Sequence, residues 1–130
     1  MANELIVLIE DNEKNRKLAR DVLTHQGYRV VEAESAEDGL ALVARERPAL
    51  ILMDIHLPGI DGIEALRRLR ADAGTRDIPV LAVTASAMTH DRQKILDAGF
   101  DGYQSKPISV KEFVAAVRRM LDEKAEKPRP

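Results

Sequence analysis

The sequence predicts an α/β fold in which helices cover both faces of a five-stranded parallel sheet. Short apolar runs alternate with amphipathic stretches five times along the chain, and this alternation is typical of consecutive βαβ units. The length of 130 residues corresponds to one domain. A composition of 45% hydrophobic and 32% charged residues is that of a globular protein, so we expect a single folded unit with its own core.

The first strand–helix unit occupies residues 5–26. The apolar run 5–9 is the first predicted strand, and the charged segment 13–26 that follows is a predicted helix that Gly27 stops. The apolar residues that keep helical spacing in this segment are Leu18, Val22 and Leu23.

The second unit begins with a weaker strand over residues 28–33. The helix after it starts at a capping box, because Ser35 precedes the acidic residue Asp38 by three positions. This helix ends before Pro48, since the residue before a proline disfavours helical backbone. Its predicted core-facing residues are Ala36, Leu40 and Val43.

The third strand is predicted over residues 49–53, the most apolar run of the chain. A turn rich in proline and glycine, residues 56–62, leads into a helix that we expect Gly74 to cap. The residues of this helix that are expected to face the core are Ile63, Leu66 and Leu69, and those expected to face solvent are Arg67, Arg68 and Arg70.

The last two units complete the predicted sheet. The fourth strand covers residues 80–83, its helix ends at Gly99, and a weakly marked fifth strand lies near residues 101–105. Ser109 and Glu112 form a second capping box before the final helix. The apolar residues at helical spacing in that helix are Val110, Phe113, Val114, Val117 and Leu121. We expect the domain to span residues 1–123 and residues 124–130 to form a short charged tail.

Charge and composition exclude several classes of protein. A net charge of -2 disfavours nucleic acid and anionic membranes as partners, and no apolar run approaches the ~20 residues of a membrane span. The N-terminus lacks the features of a signal peptide. The absence of cysteine excludes disulfides, thiolate metal sites and cysteine nucleophiles. We therefore expect a cytoplasmic protein.

Polar residues stand where the predicted strands end. Parallel sheets buried on both faces bind ligands outside the carboxyl ends of their strands. The residues at these ends are Glu10 and Asp11 after the first strand, Asp54 after the third, Thr84 after the fourth and Lys106 after the fifth. The sequence thus predicts three carboxylates, a hydroxyl and an ammonium at one rim of the sheet.

These residue types favour a site for a divalent cation and a phosphoryl group. Mg²⁺, or Mn²⁺ in its place, relieves the repulsion of crowded carboxylates and usually binds one or two of them together with a phosphate. A phosphate also accounts for Lys106 and Thr84, which offer a positive charge and a hydroxyl donor. Asp54 is the candidate nucleophile, because it follows the most buried strand and a carboxylate can attack phosphorus to give an acyl phosphate.

Several separated motifs carry a resemblance to a known family. They are VLIEDNEKN, ILMDIHLPGIDG, the pair Thr84 and Ala85, and the pair Lys106 and Pro107. In this order they resemble response-regulator receiver domains of the CheY type, over residues 4–121. The stretches LILMDIHLP and KPISV particularly resemble stand-alone, single-domain regulators of the DivK kind. The resemblance implies a flavodoxin-like, doubly wound (βα)5 fold with strand order 2-1-3-4-5.

The resemblance also implies a function and a metal site. A histidine kinase or histidine phosphotransfer protein would donate a phosphoryl group to Asp54 in a Mg²⁺-dependent reaction. Asp11, Asp54 and the main-chain carbonyl of His56 would coordinate the ion, and Glu10 would act through a water molecule. The protein would be a phosphoacceptor that assists its own phosphorylation and dephosphorylation, and not an enzyme.

The resemblance further implies how the signal leaves the site. Thr84 and Lys106 would hold the phosphoryl oxygens, and Tyr103 would swing inward as Thr84 moves. This switch would alter the face formed by the fourth helix, the fifth strand and the fifth helix, which contacts a downstream protein target. The peptide bond between Lys106 and Pro107 would be cis.

Other interpretations stay open at this point. An aspartyl-nucleophile, Mg²⁺-dependent phosphatase of the haloacid-dehalogenase type would use the same residues, although such enzymes carry a second Asp where this chain has His56. The chain could also be a receiver domain excised from a hybrid kinase. A nucleotide or flavin binder is disfavoured, because no glycine-rich phosphate loop follows the first strand. Thr84 could be a helix cap and Tyr103 a half-buried strand residue.

Overall fold

The computed structural model describes residues 4–84, 89–106 and 109–126, apart from the side chains of residues 89–92 and 124–126. Strands and helices alternate throughout these ranges, as the sequence predicts. The elements are β1 Leu5–Ile9, α1 Glu13–His25, β2 Arg29–Ala33, α2 Ala36–Glu46, β3 Leu50–Asp54, α3 Gly62–Ala71, β4 Val80–Thr84, α4 Thr89–Ala98, β5 Gly102–Ser105 and α5 Val110–Glu126.

The five strands form one parallel sheet in the order β2-β1-β3-β4-β5. This order confirms the predicted doubly wound fold. β3 lies at the centre of the sheet between β1 and β4, and all five of its residues are buried. Its carboxyl end therefore faces the crevice where the strand order reverses, which is the usual ligand site of such sheets.

Alternate residues of the central strands supply two hydrophobic cores, one on each face of the sheet. Val7 and Ile51 belong to the core that α2, α3 and α4 cover, and Ile6 and Leu52 belong to the core that α1 and α5 cover. Strands buried on both faces become nearly continuous apolar runs, which explains why the central strands β1, β3 and β4 are more clearly marked in the sequence than the partly buried edge strands β2 and β5.

The predicted caps are partly confirmed. The Ser35 side chain accepts a hydrogen bond of 3.2 Å from the Asp38 main-chain N–H, as a cap of α2 should. Gly74, however, is not the cap of α3, and that prediction is wrong. The helix ends at Ala71, because Asp72 adopts extended backbone and its N–H bonds to the Leu69 carbonyl. Gly74 lies in the following turn, where its N–H donates to Asp72 Oδ1.

The predicted core face of the last helix needs one correction. Val110 is 50% exposed and lies outside both cores, whereas Phe113, Val117 and Leu121 are buried as predicted. Helical spacing identifies a face but does not show where the surface that covers it ends.

α5 continues to Glu126, past residue 123, and residues 127–130 lie outside the described residues. Among the helices described, none is both long and apolar enough to cross a membrane.

Candidate functional site

Three carboxylates meet at the carboxyl edge of the sheet. β1 and β3 are neighbours, so Glu10 and Asp54, at their carboxyl ends, come together. Carboxylate oxygens of Glu10, Asp11 and Asp54 lie within 4.8 Å of one another. Glu10 and Asp54 are buried, and Asp11 is exposed. The topology thus assembles the acidic rim that the sequence predicts.

The ammonium of Lys106 lies between the two buried carboxylates. Its Nζ is 2.8 Å from Glu10 Oε1 and 3.0 Å from Asp54 Oδ2. The main-chain N–H of Lys106 donates to the Thr84 carbonyl at 2.8 Å, which holds the end of β5 against the end of β4. Side-chain exposure is 15% for Lys106, 5% for Glu10 and 6% for Asp54, so these charges are largely removed from water.

Every polar atom of Glu10 has a protein partner. Its side-chain Oε2 accepts from the Asn12 N–H at 3.1 Å, and its main-chain carbonyl accepts from Arg16 Nη1 at 2.9 Å. Its own N–H donates to the Ala33 carbonyl at 3.0 Å. Arg16 cannot be recognised from the sequence, because an arginine within a charged helical segment has no pattern that marks it as part of a site.

The β3–α3 turn holds Asp54 from the other side. The His56 N–H donates to Asp54 Oδ1 at 3.0 Å, and the Gly62 N–H donates to the Ile55 carbonyl at 2.9 Å. A Cβ on Gly62 would lie 2.8 Å from both the Asp54 carbonyl oxygen and Ile55 Cα. The first turn of α3 therefore packs directly on backbone beside Asp54, and only a glycine permits this approach.

Burial and charge shift two pKa values at this edge. Burial is the largest influence on Glu10 and raises the pKa of its carboxyl above the ordinary 4.5, against the opposing hydrogen bonds from Lys106 and Asn12. Burial lowers the pKa of Lys106, but its hydrogen bonds to Glu10 and Asp54 outweigh burial, and the pKa is raised overall. Lys106 is thus held as a cation between the two acids.

Thr84 and Tyr103 lie on neighbouring strands. Thr84 ends β4 and is buried, and the residue before it in β4, Val83, is paired with Asp54. Tyr103 is half-buried in β5, is paired with Ala82 of β4 and packs against the core beneath α4. The sequence-based interpretation of Tyr103 as a half-buried strand residue is therefore confirmed. Ala85 and Pro107 lie outside the described residues, and with them the predicted cis bond between Lys106 and Pro107.

The donor set fits a hard divalent cation. Oxygen atoms from Glu10, Asp11 and Asp54 lie close enough together to surround one ion, and Mg²⁺ prefers carboxylate oxygens with water in its remaining positions. A cavity of about 240 Å³ borders Thr84, His56 and Lys94 beside this cluster. Carboxylates, a cation and a buried hydroxyl-bearing residue at one edge suit the binding of a phosphoryl group.

Comparison with known proteins agrees with this geometry. Residues 6–118 match the family described as response regulator receiver domain. The chain is 42% identical over 116 residues to the polar-differentiation response regulator DivK of Brucella anthropi, covering 89% of this chain and 94% of that protein.

Solved structures show the same similarity. The receiver domain of a sensor histidine kinase from Pseudomonas aeruginosa is 35% identical, with 93% of this chain and 99% of that one covered at a TM-score of 0.86, and it holds a magnesium ion in its active site cleft. A CheY-like receiver domain protein from Methanospirillum hungatei is 27% identical, with 98% and 100% covered at a TM-score of 0.88.

Proposed function

Because this chain belongs to the response regulator receiver family, we propose that it accepts a phosphoryl group on Asp54 and signals by protein contact. It is a signalling domain similar to DivK and not a classical enzyme. The observation that carries the proposal is the buried Asp54 carboxylate, which lies at the carboxyl edge beside two further acids and the Lys106 ammonium. The proposed donor is a histidine kinase or a histidine phosphotransfer protein.

The proposed transfer is a displacement at phosphorus. A carboxylate oxygen of Asp54 attacks the phosphorus of the donor phosphohistidine, and a P–O bond forms as the P–N bond breaks. The electron pair of the P–N bond goes to the leaving imidazole nitrogen, and the product is an acyl phosphate on Asp54. Lys106 at Oδ2 and the His56 N–H at Oδ1 hold the attacking group in place. Positioning and charge neutralisation supply most of the catalysis of such transfers.

The acidic cluster is the proposed metal site. Asp11, Asp54 and the main-chain carbonyl of His56 would hold Mg²⁺ or Mn²⁺, and Glu10 would act through a water molecule. A bound ion would supply positive charge that offsets the charge of the phosphoryl oxygens. The clustered oxygens of the three carboxylates and their hard-ligand character support this assignment.

The proposed signal passes from Asp54 to the protein surface through residues of β4 and β5. Thr84 and Lys106 would hold phosphoryl oxygens, and Tyr103 would follow the movement of Thr84. The burial of Thr84 beside the end of β3, and the place of Tyr103 on the next strand, support this route. The face of α4, β5 and α5 would then contact a downstream protein, with neither nucleic acid nor membrane as partner. We place this exchange in the cytoplasm, where kinases have ATP.

Labelling by a small phosphodonor tests the proposal. Wild type, Asp54→Asn and Asp97→Asn are incubated with ³²P-labelled acetyl phosphate and Mg²⁺, and thermal unfolding verifies that each is folded. Asp97 is a matched control, because it is an exposed aspartate on α4 whose partner is Gln93. We expect Asp54→Asn to lose the label and Asp97→Asn to keep it. Persistent labelling of folded Asp54→Asn would refute the assignment.

A second assay separates the proposal from the phosphatase alternative. A phosphatase would release phosphate continuously from small phosphomonoesters, and Asp54→Asn would stop the release. The proposed phosphoacceptor is expected to release none above a protein-free blank, because His56 stands where such an enzyme carries its second aspartate.

A further inference from the structure

We infer that Arg16 is a positioning residue for the divalent-cation site, through its hold on the turn that carries Glu10 and Asp11. The inference rests on the proposed function, since it concerns the same metal site. Arg16 belongs to α1 and supplies no ligand atom of its own. Its part is to fix the backbone from which the acidic ligands extend.

The key contact is with the peptide group that joins the two acids. Arg16 Nη1 donates to the main-chain carbonyl of Glu10 at 2.9 Å. That carbonyl belongs to the planar peptide unit between Glu10 and Asp11, so the hydrogen bond fixes the plane of the whole unit. The N–H and Cα of Asp11 belong to this unit and are held with it, which limits the directions in which the Asp11 side chain can leave the backbone.

The other side of the guanidinium is anchored to Glu32 in the edge strand β2 and to Glu34 just after that strand. Nη2 lies 3.2 Å from Glu34 Oε1, and Nε lies 3.4 Å from Glu32 Oε1. The Arg16 side chain is only 13% exposed, so it is confined between the turn and β2. These two carboxylates also offset its positive charge, which reduces repulsion of a cation at the nearby acidic cluster.

The position of the Asp11 carboxylate depends on the main chain more than the positions of the Glu10 and Asp54 carboxylates do. Glu10 and Asp54 are each bonded through both carboxylate oxygens, to Lys106 and to a main-chain N–H. Within the ranges that the structure describes, no hydrogen bond or ion pair fixes the exposed Asp11 carboxylate. Mg²⁺ demands nearly ideal octahedral geometry, so a misplaced Asp11 weakens binding directly.

Arg20 provides a matched control one turn further along α1. Its Nη1 bonds to both carboxylate oxygens of Glu32, at 3.2 and 3.0 Å, so it has the same charge and shares an acid partner with Arg16. It has no hydrogen bond to the Glu10 carbonyl, whose described donor is Arg16. Replacing Arg20 therefore removes a guanidinium from the same network and leaves the turn in place.

The experiment measures Mg²⁺ affinity and not activity. The dissociation constant of Mg²⁺ is determined by calorimetry for wild type, Arg16→Met, Arg16→Gln and Arg20→Met, at about 0.15 M salt to screen long-range charge. Residues that orient metal ligands typically change metal affinity by 10–100-fold when removed. We expect Arg16→Met to bind Mg²⁺ at least about tenfold more weakly and Arg20→Met to remain within about twofold of wild type.

The outcomes separate positioning from a merely structural role. If Arg16 only stabilised the fold, Arg16→Met would lower the melting temperature and keep the wild-type Mg²⁺ affinity, and that result would overturn the inference. An equal loss of affinity in Arg20→Met would overturn it too. If Arg16→Met does not fold, Arg16→Gln carries the same prediction, because its uncharged side chain is too short to span from the Glu10 carbonyl to Glu32 and Glu34.

Failure of this inference is distinguishable from failure of the proposed function. Asp54→Asn can lose the label while Arg16→Met keeps the wild-type Mg²⁺ affinity. That combination would show that Arg16 does not position the metal ligands, and it would still support Asp54 as the phosphoacceptor. Persistent label in Asp54→Asn would refute Asp54 as the phosphoacceptor, whatever Mg²⁺ affinity Arg16→Met shows.

Discussion

Lys106 binds Asp54 at the carboxyl edge of the sheet, with 3.0 Å between Nζ and Oδ2 and 52 positions between the two residues in sequence. The same ammonium lies 2.8 Å from Glu10. One cation thus serves two buried carboxylates, and the exposed carboxylate of Asp11 adds to the local excess of negative charge. Repulsion within this excess opposes folding and favours the binding of a cation.

Removing the shared cation should destabilise the fold. Lys106→Met leaves Glu10 and Asp54 buried beside each other without their ammonium, and loss of one member of a buried ion pair typically costs about 3–5 kcal/mol. We expect the free energy of unfolding, measured with urea at pH 7 without divalent cations, to fall by about 3 kcal/mol. Millimolar Mg²⁺ should restore part of the loss.

Lys17→Met is the control for this variant. Lys17 forms an exposed ion pair with Asp21 on α1, and such pairs contribute about 0–1 kcal/mol. A loss in Lys106→Met no greater than that in Lys17→Met would contradict the account of the shared ammonium.

Neutralising Asp11 should stabilise the protein when no metal is present. Asp11→Asn removes one of three crowded carboxylates and leaves the contacts of Lys106 intact, so repulsion falls and no ion pair is lost. We expect the melting temperature in EDTA to rise by about 2 °C. Asp54→Asn should show a smaller rise, because it also weakens the bond to Lys106. A clear fall for Asp11→Asn, with Asp97→Asn unchanged, would argue against repulsion at this edge.

The raised pKa of Glu10 predicts the sign of a pH effect. Burial, the main cause, makes the folded state hold the Glu10 proton more tightly than the unfolded chain does. Its stabilising contribution is therefore full below the ordinary pKa of 4.5 and is lost as pH rises through the raised folded pKa.

Glu10→Gln isolates this effect from other carboxylates. Glu64, for example, has its pKa lowered to about 2 by Arg67 and Arg68, so its contribution is lost as pH falls, in the opposite sense. We expect wild type to lose stability relative to Glu10→Gln as pH rises from 4.5 to 7 without Mg²⁺, as followed by thermal unfolding. A difference that stays constant or reverses over this range would show that burial does not control Glu10.

The close approach of Gly62 to the Asp54 backbone predicts that even a methyl side chain at position 62 does not fit without a shift of the backbone. A Cβ there would lie 2.8 Å from backbone atoms of Asp54 and Ile55, and neither is the end of a flexible side chain. We expect Gly62→Ala to cost about 1–3 kcal/mol and to slow labelling by acetyl phosphate, because the turn that holds Asp54 must shift. Gly74→Ala, whose Cβ would have its nearest neighbour at 3.4 Å, should do neither. Equal behaviour of the two variants would disprove this prediction.

The sequence predicts the fold and the acidic rim for the same physical reason. Strands buried on both faces become apolar runs, and parallel topology brings the residues after those runs to one edge. Glu10, Asp54 and Lys106 are therefore found together without any knowledge of coordinates. Their roles in transfer stay proposals that the labelling experiment tests.

Features that depend on packing could not be predicted in this way. Arg16 lies at the site because its guanidinium reaches back across one turn of helix, which spacing alone does not show. Helical periodicity groups Val110 with Phe113 and Val117, but the Val110 side chain is 50% exposed whereas the other two are buried. Gly74 follows a helix that Asp72 has already ended. The Arg16 contact joins two segments of the chain, and the backbone conformation of Asp72 and the exposure of Val110 are likewise not visible in residue spacing.

Phosphorylation of Asp54 can be checked by identifying the modified residue chemically. Protein labelled by acetyl phosphate is treated with borohydride, which reduces an acyl phosphate to an alcohol, and its peptides are then sequenced by mass spectrometry. We expect Asp54 to be converted to homoserine, only after labelling and only with Mg²⁺. Conversion of Asp11 or another acid with Asp54 intact would contradict this expectation.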